Sequence, residues 1–314
     1  MKILVIATGG TIGSAFDGGS IDVKGGCEVA ARYVRENPGV EIEVICPLNI
    51  LSESISADDL STLAAAIYNS DTEKYDGVIL TAGSDNLAYI ASFVGLLFGN
   101  RGVSVCLVAS DKVLSDPEAN GYDNFCCAVE LIGKGLLGAW VTYRNSDGIK
   151  YVHSATDIRQ ADLSDDFYSF HGAYAVWNGE LRPLREPVMQ TMPEVFDKEH
   201  MPVMSDNVLM IHPYPLQDYE RICIDGAKAV LHTLYHSSTL DSDGVCELIK
   251  RCGDVPVYLA SFRSGRSLYR TAVEAIEAGS IPLYDISPEC AYMKLLLACA
   301  QDRVGIREFM EYTE

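Results

Sequence analysis

The sequence predicts an α/β protein of two domains, each a mainly parallel sheet flanked by helices. Short, continuously apolar segments such as residues 2–7, 77–81 and 103–109 are typical of strands that are buried on both faces, as strands of parallel sheets are. Helical patterns alternate with these segments through both halves of the chain. Short alternating units favour parallel strands joined by right-handed crossovers.

The domain boundary is predicted from a break in this alternation. Between residues 178 and 204 the periodicity is lost and four prolines occur, at positions 183, 187, 193 and 202. Irregular loops of this length between packed elements are uncommon. We therefore expect an N-terminal α/β domain at 1–185, a linker at 186–204 and a smaller C-terminal α/β domain at 205–314, each long enough for its own core.

The elements are predicted one by one from their patterns. Ser56 and Asp59 form a capping-box start for a helix at 57–69. Ser287 as N-cap, with Pro288 and Glu289 in the first turn, begins a helix at 288–300. Further strands are expected at 40–46, 139–143, 208–212, 229–235, 256–260 and 281–286, and further helices at 28–35, 86–98, 245–251 and 268–278.

Composition and charge limit the class of partner. The chain is 48% hydrophobic and 22% charged, as ordinary globular proteins are, and carries a formal net charge of −20. Nucleic acids and anionic membrane surfaces would be repelled by this charge. The apolar runs are far shorter than a bilayer span. Residues 2–7 are too short for a signal-peptide core and lack a cleavage pattern, so we expect a cytoplasmic protein.

Cysteine and histidine spacing predicts neither disulfides nor a metal site. The ten cysteines include no C-x-x-C pair, and most lie in apolar segments, such as Cys46, Cys106 and Cys299, where buried free thiols are expected. The six histidines show no H-E-x-x-H spacing. We expect no metal and no other cofactor.

Two strand ends carry residues suited to a site. The strand at 2–7 leads into Gly9, Gly10 and Thr11, and the strand at 77–81 leads into Gly83, Ser84 and Asp85. Glycine lets the backbone approach a ligand closely, and in open α/β sheets ligands bind beyond the carboxyl ends of the strands. A tight turn without function would give the first pattern equally well, because one glycine pair is a weak signal.

The two motifs together resemble a known family. The segment Thr8-Gly-Gly-Thr-Ile12 resembles the N-terminal nucleophile signature of the bacterial-type asparaginase/glutaminase amidohydrolases. The segment Gly83-Ser84-Asp85-Asn86 resembles that family's second motif, normally Gly-Thr-Asp-Thr. The similarity extends through both halves of the chain.

The resemblance implies roles for the motif residues. Thr11 would be the nucleophile that forms an acyl-enzyme, and Asp85 would pair with the α-ammonium group of the substrate. Ser52 matches a serine that binds the substrate carboxylate, and Ser84 would position the attacking water. Gly10 and Gly83 would complete the substrate site, and backbone N–H groups near Thr11 and Ser84 would hold the oxyanion.

The chain departs from the family at two positions that activate the nucleophile. Ser20, in a glycine-rich segment predicted to be a mobile loop, replaces a tyrosine, and Ile158 stands where the catalytic lysine is expected. Lys112 follows a strand end and is the best replacement base, because a partly desolvated lysine has a lowered pKa. Arg159 is a poorer candidate, being permanently charged. Three arginines are unranked candidates for carboxylate binding: Arg221, Arg263 and Arg266.

Three functional hypotheses remain open. The first is an asparaginase-like amidohydrolase that cleaves the side-chain amide of asparagine through Thr11. The second is a related amidase acting on another small amide. The third is a non-catalytic or weakly active protein that binds a small amino acid. The resemblance also implies a homodimer or homotetramer, in which the strand-end loop at 235–239 reaches a neighbour's site.

Overall fold

A computed structural model of the chain describes residues 1–10, 12, 14–17, 20–23, 27–98, 101–162 and 164–313, with the backbone alone at 14–17 and 20–23. In chain order, the first half forms β1 (Lys2–Ala7), β2 (Ser14–Asp17), β3 (Ser20–Val23), α1 (Glu28–Glu36), β4 (Glu41–Ile45), α2 (Ala57–Asn69), β5 (Gly77–Thr81), α3 (Leu87–Phe98), β6 (Ser104–Val108), α4 (Gly121–Gly133), β7 (Gly138–Arg144), β8 (Lys150–Ser154), β9 (Ile158–Arg159), β10 (Tyr168–Ser169), β11 (Ala175–Trp177) and β12 (Leu181–Pro183). The second half forms β13 (Val208–Ile211), β14 (Ala229–Thr233), α5 (Ser242–Cys252), β15 (Val257–Phe262), α6 (Arg270–Glu277), β16 (Ile281–Tyr284), α7 (Pro288–Cys299) and α8 (Ile306–Glu311).

The larger sheet belongs wholly to the first half of the chain. Its strand order is β12-β11-β8-β7-β6-β5-β1-β4, and the five strands from β7 to β4 run parallel. The three strands at the other edge are antiparallel to their neighbours. From β1 the chain goes to β4 on one side and then crosses to β5 on the other. This reversal of direction places a crevice between the loops that follow β1 and β5.

The second sheet has the order β13-β14-β15-β16 and is parallel throughout. Its outer face packs on α5 and α6, and its inner face packs on α7. The predicted α/β class, with mainly parallel sheets flanked by helices, is confirmed.

One hydrophobic core connects the two sheets. Helix α3 packs against α7, and buried residues of both belong to a cluster that extends from Leu4 in β1 to Leu231 in β14. A second cluster fills the opposite face of the larger sheet, where α1 and α4 meet through Tyr33 and Phe125. Helices α3 and α7 are buried on almost every side, so their N-terminal turns are held rigidly.

The predicted helix starts are confirmed at atomic level. The Ser56 amide donates to Asp59 Oδ2 at 2.8 Å, and the Asp59 amide donates to Ser56 Oγ at 3.2 Å, which completes the capping box of α2. At α7, Ser287 Oγ accepts from the Cys290 amide at 3.1 Å. These caps satisfy backbone donors that have no partner inside the helix.

Several features differ from the sequence prediction. The predicted loop around residues 13–20 includes an antiparallel hairpin of β2 and β3, and the predicted helix at 86–98 begins with a 3-10 turn at Ser84–Asn86.

All ten cysteines are free; Cys106 and Cys299 are buried as expected, but Cys46 is exposed. Residues 184–207 form no helix or strand, and the domain boundaries remain a prediction. Within the described ranges, no helix is both long and apolar enough to cross a membrane.

Two buried histidines should make the fold sensitive to acid. His153 is 1% exposed and His232 is 0% exposed, and burial lowers the pKa of each from 6.5 to about 4. Each imidazole is therefore neutral when folded and protonates more readily when unfolded. This contribution to stability is present above pH 6.5 and is lost as the pH falls towards 4.

We expect the free energy of unfolding to fall between pH 7 and 4.5, with about 2 to 3 kcal/mol of the loss coming from His153. Urea titrations of the parent and of His153→Gln should show a smaller pH dependence in the variant. His232→Gln, which removes the other buried imidazole, should reduce the pH dependence in the same direction. Equal pH dependence of the parent and His153→Gln would refute this account.

Candidate active site

The loop after β1 is fixed by backbone contacts. The Gly10 amide donates to the Ile50 carbonyl at 3.2 Å, and the Ile50 amide donates to the Thr8 carbonyl at 3.1 Å. Thr8 Oγ1 donates to the Thr81 carbonyl at 2.8 Å, which connects the ends of β1 and β5. The ends of three neighbouring strands are therefore held together at one point.

Glycine is required where the two site motifs meet. Gly10 has a φ of +78°, and a Cβ built on it would lie 2.4 Å from both Cα and N of Gly83. A Cβ on Gly83 would in turn lie 2.4 Å from Ser52 Oγ. The backbones approach so closely that a side chain at either position would have to displace its neighbours. The structure thus brings Gly10, Gly83 and Ser52 into contact, and their roles in substrate binding remain predictions.

The second motif forms the 3-10 turn Ser84–Asn86, which leads into α3. Ser52 Oγ donates to Asp85 Oδ2 at 3.1 Å, and the Asn86 side-chain amide donates to the Ser52 carbonyl. Ser52 is buried, whereas Asp85 is exposed and Ser84 half-buried. The arrangement presents a hydroxyl and a carboxylate side by side at the crevice, and a carboxylate with an open side can pair with an ammonium group.

Thr11, the predicted nucleophile, lies outside the described residues, as does the side chain of Ser20. The neighbours of Thr11 in the chain are well placed in the fold: Gly10 contacts Gly83, and Ile12 is 1% exposed in the core beneath the larger sheet. The end of the described loop at Gly10 lies next to Gly83, the residue before the turn that contains Ser84 and Asp85.

Lys112 does not have the lowered pKa that was predicted for it. Its Nζ lies 2.6 Å from Glu118 Oε2, and both side chains are exposed to solvent. The hydrogen bond that Lys112 donates to Glu118 raises the pKa of Lys112, with Asp116 and Asp111 adding to the effect, because nearby carboxylates favour the charged ammonium. The prediction of a depressed pKa is wrong: the lysine is surrounded by acids rather than desolvated.

The segment expected to carry a catalytic lysine supplies no ionisable group to the turn. Ile158 is completely buried in the core. Its neighbour Asp157 is directed at His171, with 2.6 Å between Oδ1 and Nδ1, and burial raises the pKa of this carboxyl. Arg159 binds Glu289 at 3.0 Å.

Gln160 is the residue of this segment that reaches the turn, and the sequence did not single it out. Its side-chain amide donates to the Asp85 carbonyl at 2.5 Å and, at 3.4 Å, to the Ser84 carbonyl. Gln160 is neither an acid nor a base, and its two hydrogen bonds to the turn form only in the tertiary structure. No sequence signal therefore marks it as a site residue.

A cavity of about 980 Å³ lies beside this segment, between it and the strand ends of the second sheet. Arg159 and Gln160 line one side, and Arg263, Arg266 and the loop from Tyr235 to Ser238 line another. Arg221, by contrast, pairs with Asp218 at 2.9 Å on the exposed surface. In the part of the chain that the structure describes, no group of three or more His, Cys, Asp or Glu side chains is arranged to hold a metal ion.

Two relatives with assigned names are similar to this chain over nearly its whole length. The chain is 27% identical to an L-asparaginase of Thermococcus kodakarensis, covering 99% of this chain and 97% of that protein. It is 25% identical to one of the polypeptides of a glutamyl-tRNA(Gln) amidotransferase of Pyrococcus abyssi, covering 98% of this chain and 75% of that polypeptide.

Two solved structures share the fold. The thermostable L-asparaginase from T. kodakarensis superimposes with a TM-score of 0.78 at 24% identity, covering 100% of this chain and 98% of the other. L-asparaginase I from Vibrio cholerae gives a TM-score of 0.77 at 20% identity, covering 100% and 97%. The family model described as "Asparaginase, N-terminal" matches residues 2–182, which contain both site motifs and more than half of the chain. The chain therefore belongs to the asparaginase family.

Proposed function

We propose that this protein is an asparaginase-like amidohydrolase that converts the side-chain amide of asparagine, or a related small amide, into the acid and ammonia. The observation that carries the proposal is the contact of Gly10 with Gly83, which brings the loop leading to Thr11 beside Ser52 and Asp85. The family supports hydrolase chemistry at this place in the fold.

The reaction would proceed through an ester of Thr11. The threonine oxygen attacks the amide carbon, the C–N bond breaks, and the hydroxyl proton leaves with the nitrogen as ammonia. Backbone N–H groups near Thr11 and Ser84 would hold the oxyanion, each worth on the order of 3 kcal/mol. Water positioned by Ser84 then hydrolyses the ester and releases the acid.

Recognition of the amino-acid end would use the pair formed by Ser52 and Asp85. Asp85 is exposed, so its carboxylate is accessible to the substrate α-ammonium group, and the Ser52 hydroxyl, which donates to Asp85 Oδ2 at 3.1 Å, would turn to the α-carboxylate when the substrate binds. The hydrogen bond between Ser52 and Asp85 sets the spacing of the two groups before a ligand binds.

One observation favours the alternative candidate, a weakly active or purely binding protein. In the described part of the chain, the side-chain hydrogen bonds to the turn at 84–86 come from Ser52 and Gln160, neither of which accepts a proton at neutral pH. Lys112 is held by Glu118 instead. A nucleophilic threonine without a nearby base would react slowly.

Ammonia release and ligand binding separate the two candidates. An amidohydrolase releases ammonia from asparagine, whereas a binding protein is stabilised against heat by aspartate without turnover. One relative is named an L-asparaginase and another belongs to a glutamyl-tRNA(Gln) amidotransferase, so glutamine should be assayed as a substrate beside asparagine. Absence of turnover of both amides would refute the proposed amidohydrolase, and absence of aspartate binding as well would refute both candidates.

We expect Thr11→Ala to abolish ammonia release and to leave the melting temperature nearly unchanged, because it removes one hydroxyl from a strand-end loop. Thr11→Ser keeps a hydroxyl and is the matched control, which should retain measurable activity. Turnover of asparagine by Thr11→Ala at the parent rate would remove Thr11 from the mechanism.

We also propose a homodimer or homotetramer. The loop after β14 is a tight turn, with the Tyr235 amide donating to the Thr239 carbonyl at 3.0 Å, and exposed tyrosines lie at its start and nearby. Tyr235 is 38% exposed and Tyr269 is 58% exposed, as is typical of residues that bind another protomer. Sedimentation at micromolar concentration should show a dimer or tetramer. A fully active monomer would contradict a site shared between protomers.

A cytoplasmic location fits ten free cysteines, and the net charge of −20 argues against nucleic acid or a membrane surface as a partner. We propose a small-molecule substrate without nucleic-acid or membrane partners. Recovery of the protein mainly outside the cytoplasm after cell fractionation would contradict the proposed location.

A further inference from the structure

Gln160 connects two parts of the protein that are distant in sequence. Its side-chain amide donates to the carbonyls of Asp85 at 2.5 Å and Ser84 at 3.4 Å, while its own backbone amide donates to Glu289 Oε1 at 3.0 Å. The turn at 84–86 belongs to the candidate site, and Glu289 lies in the first turn of α7 in the second half of the chain.

Glu289 holds this segment firmly. Its side chain is only about 5% exposed and lies 3.0 Å from the Arg159 guanidinium, in addition to accepting from the Gln160 amide. A carboxylate at a helix N-terminus is stabilised by the helix dipole, and a buried carboxylate paired with arginine is costly to move. The backbone that carries Gln160 is therefore fixed by the core of the protein and not by the surface loop alone.

The two carbonyls that Gln160 binds determine the orientation of two peptide units in the turn at 84–86. A peptide unit is planar and trans, so its N–H points opposite to its C=O. Fixing the Ser84 and Asp85 carbonyls therefore fixes the N–H groups of Asp85 and Asn86. It also fixes the backbone from which the Ser84 and Asp85 side chains extend towards the crevice.

We propose that Gln160 is a positioning residue that sets the orientation of the turn at 84–86, and that Glu289 of α7 holds Gln160 in place. Resting on the proposed function, this gives Gln160 a part in substrate recognition without direct contact with the reacting atoms. Through Gln160, helix α7 in the second half of the chain is connected by hydrogen bonds to the turn that contains Asp85.

The test compares Gln160→Glu with Gln190→Glu. Gln160→Glu keeps the shape but places a carboxylate oxygen against two carbonyl oxygens, which repel it. Gln190 is the matched control, since its side-chain amide also donates to a backbone carbonyl, that of Asp285 at 2.8 Å, away from the turn. Gln160→Lys keeps a donor and should restore part of the parent behaviour.

We expect peptide-resolved hydrogen exchange at residues 84–87 to be faster in Gln160→Glu than in the parent or in Gln190→Glu. The dissociation constant of aspartate and the KM for asparagine should both rise on the order of 10-fold, because displacement of a binding group by a fraction of an ångström weakens its interactions. A residue with a merely structural role would lower the melting temperature without this selective change in KM.

The hydrogen-exchange measurement needs no ligand. It therefore tests the positioning role of Gln160 even if the parent neither binds aspartate nor turns over asparagine. That failure would refute the proposed function alone. Parent-like exchange at residues 84–87 in Gln160→Glu would overturn the role of Gln160. Equal acceleration in Gln190→Glu would overturn it as well.

Discussion

The close contact between the backbones of Gly10 and Gly83 is the constraint on which the site depends. With 2.4 Å between a hypothetical Gly10 Cβ and the Gly83 backbone, the loops after β1 and β5 can meet only if both positions lack side chains. Because β1 and β5 are adjacent parallel strands, their ends are brought to the same edge by the sheet itself. The sheet brings the two strand ends to the same edge, and the absence of side chains at the two glycines allows the loops to touch.

Much of the fold was predictable from local chemistry. The fully apolar segments became buried strands, and the capping residues Ser56 and Ser287 begin α2 and α7 where expected. The hairpin of β2 and β3 and the antiparallel edge from β8 to β12 were not predicted, because pairing between short strands is decided by tertiary neighbours. The shared core between α3 and α7 was also invisible to periodicity, which shows that a face is apolar but not what covers it.

The position of a site residue was predictable where it directly follows a strand end. Gly10 follows β1, and Gly83 and Asp85 follow β5, so the parallel sheet brings them to one edge. Their roles in substrate binding remain predictions. Lys112 follows a strand end as well, but the acidic neighbours that pair with it lie in the next turn of the chain and reverse the expected change in its pKa. Gln160 escaped notice because its two hydrogen bonds join segments about 75 residues apart.

The central claim is that an acyl group is carried by Thr11, and mass spectrometry of the protein during turnover tests it most directly. The protein is mixed with asparagine, quenched in acid within the first turnover and digested for peptide mapping. The account predicts a mass increase of one aspartyl group on the peptide that contains Thr11, absent in Thr11→Ala. Ammonia release without an adduct, or an aspartyl group on another residue, would contradict it.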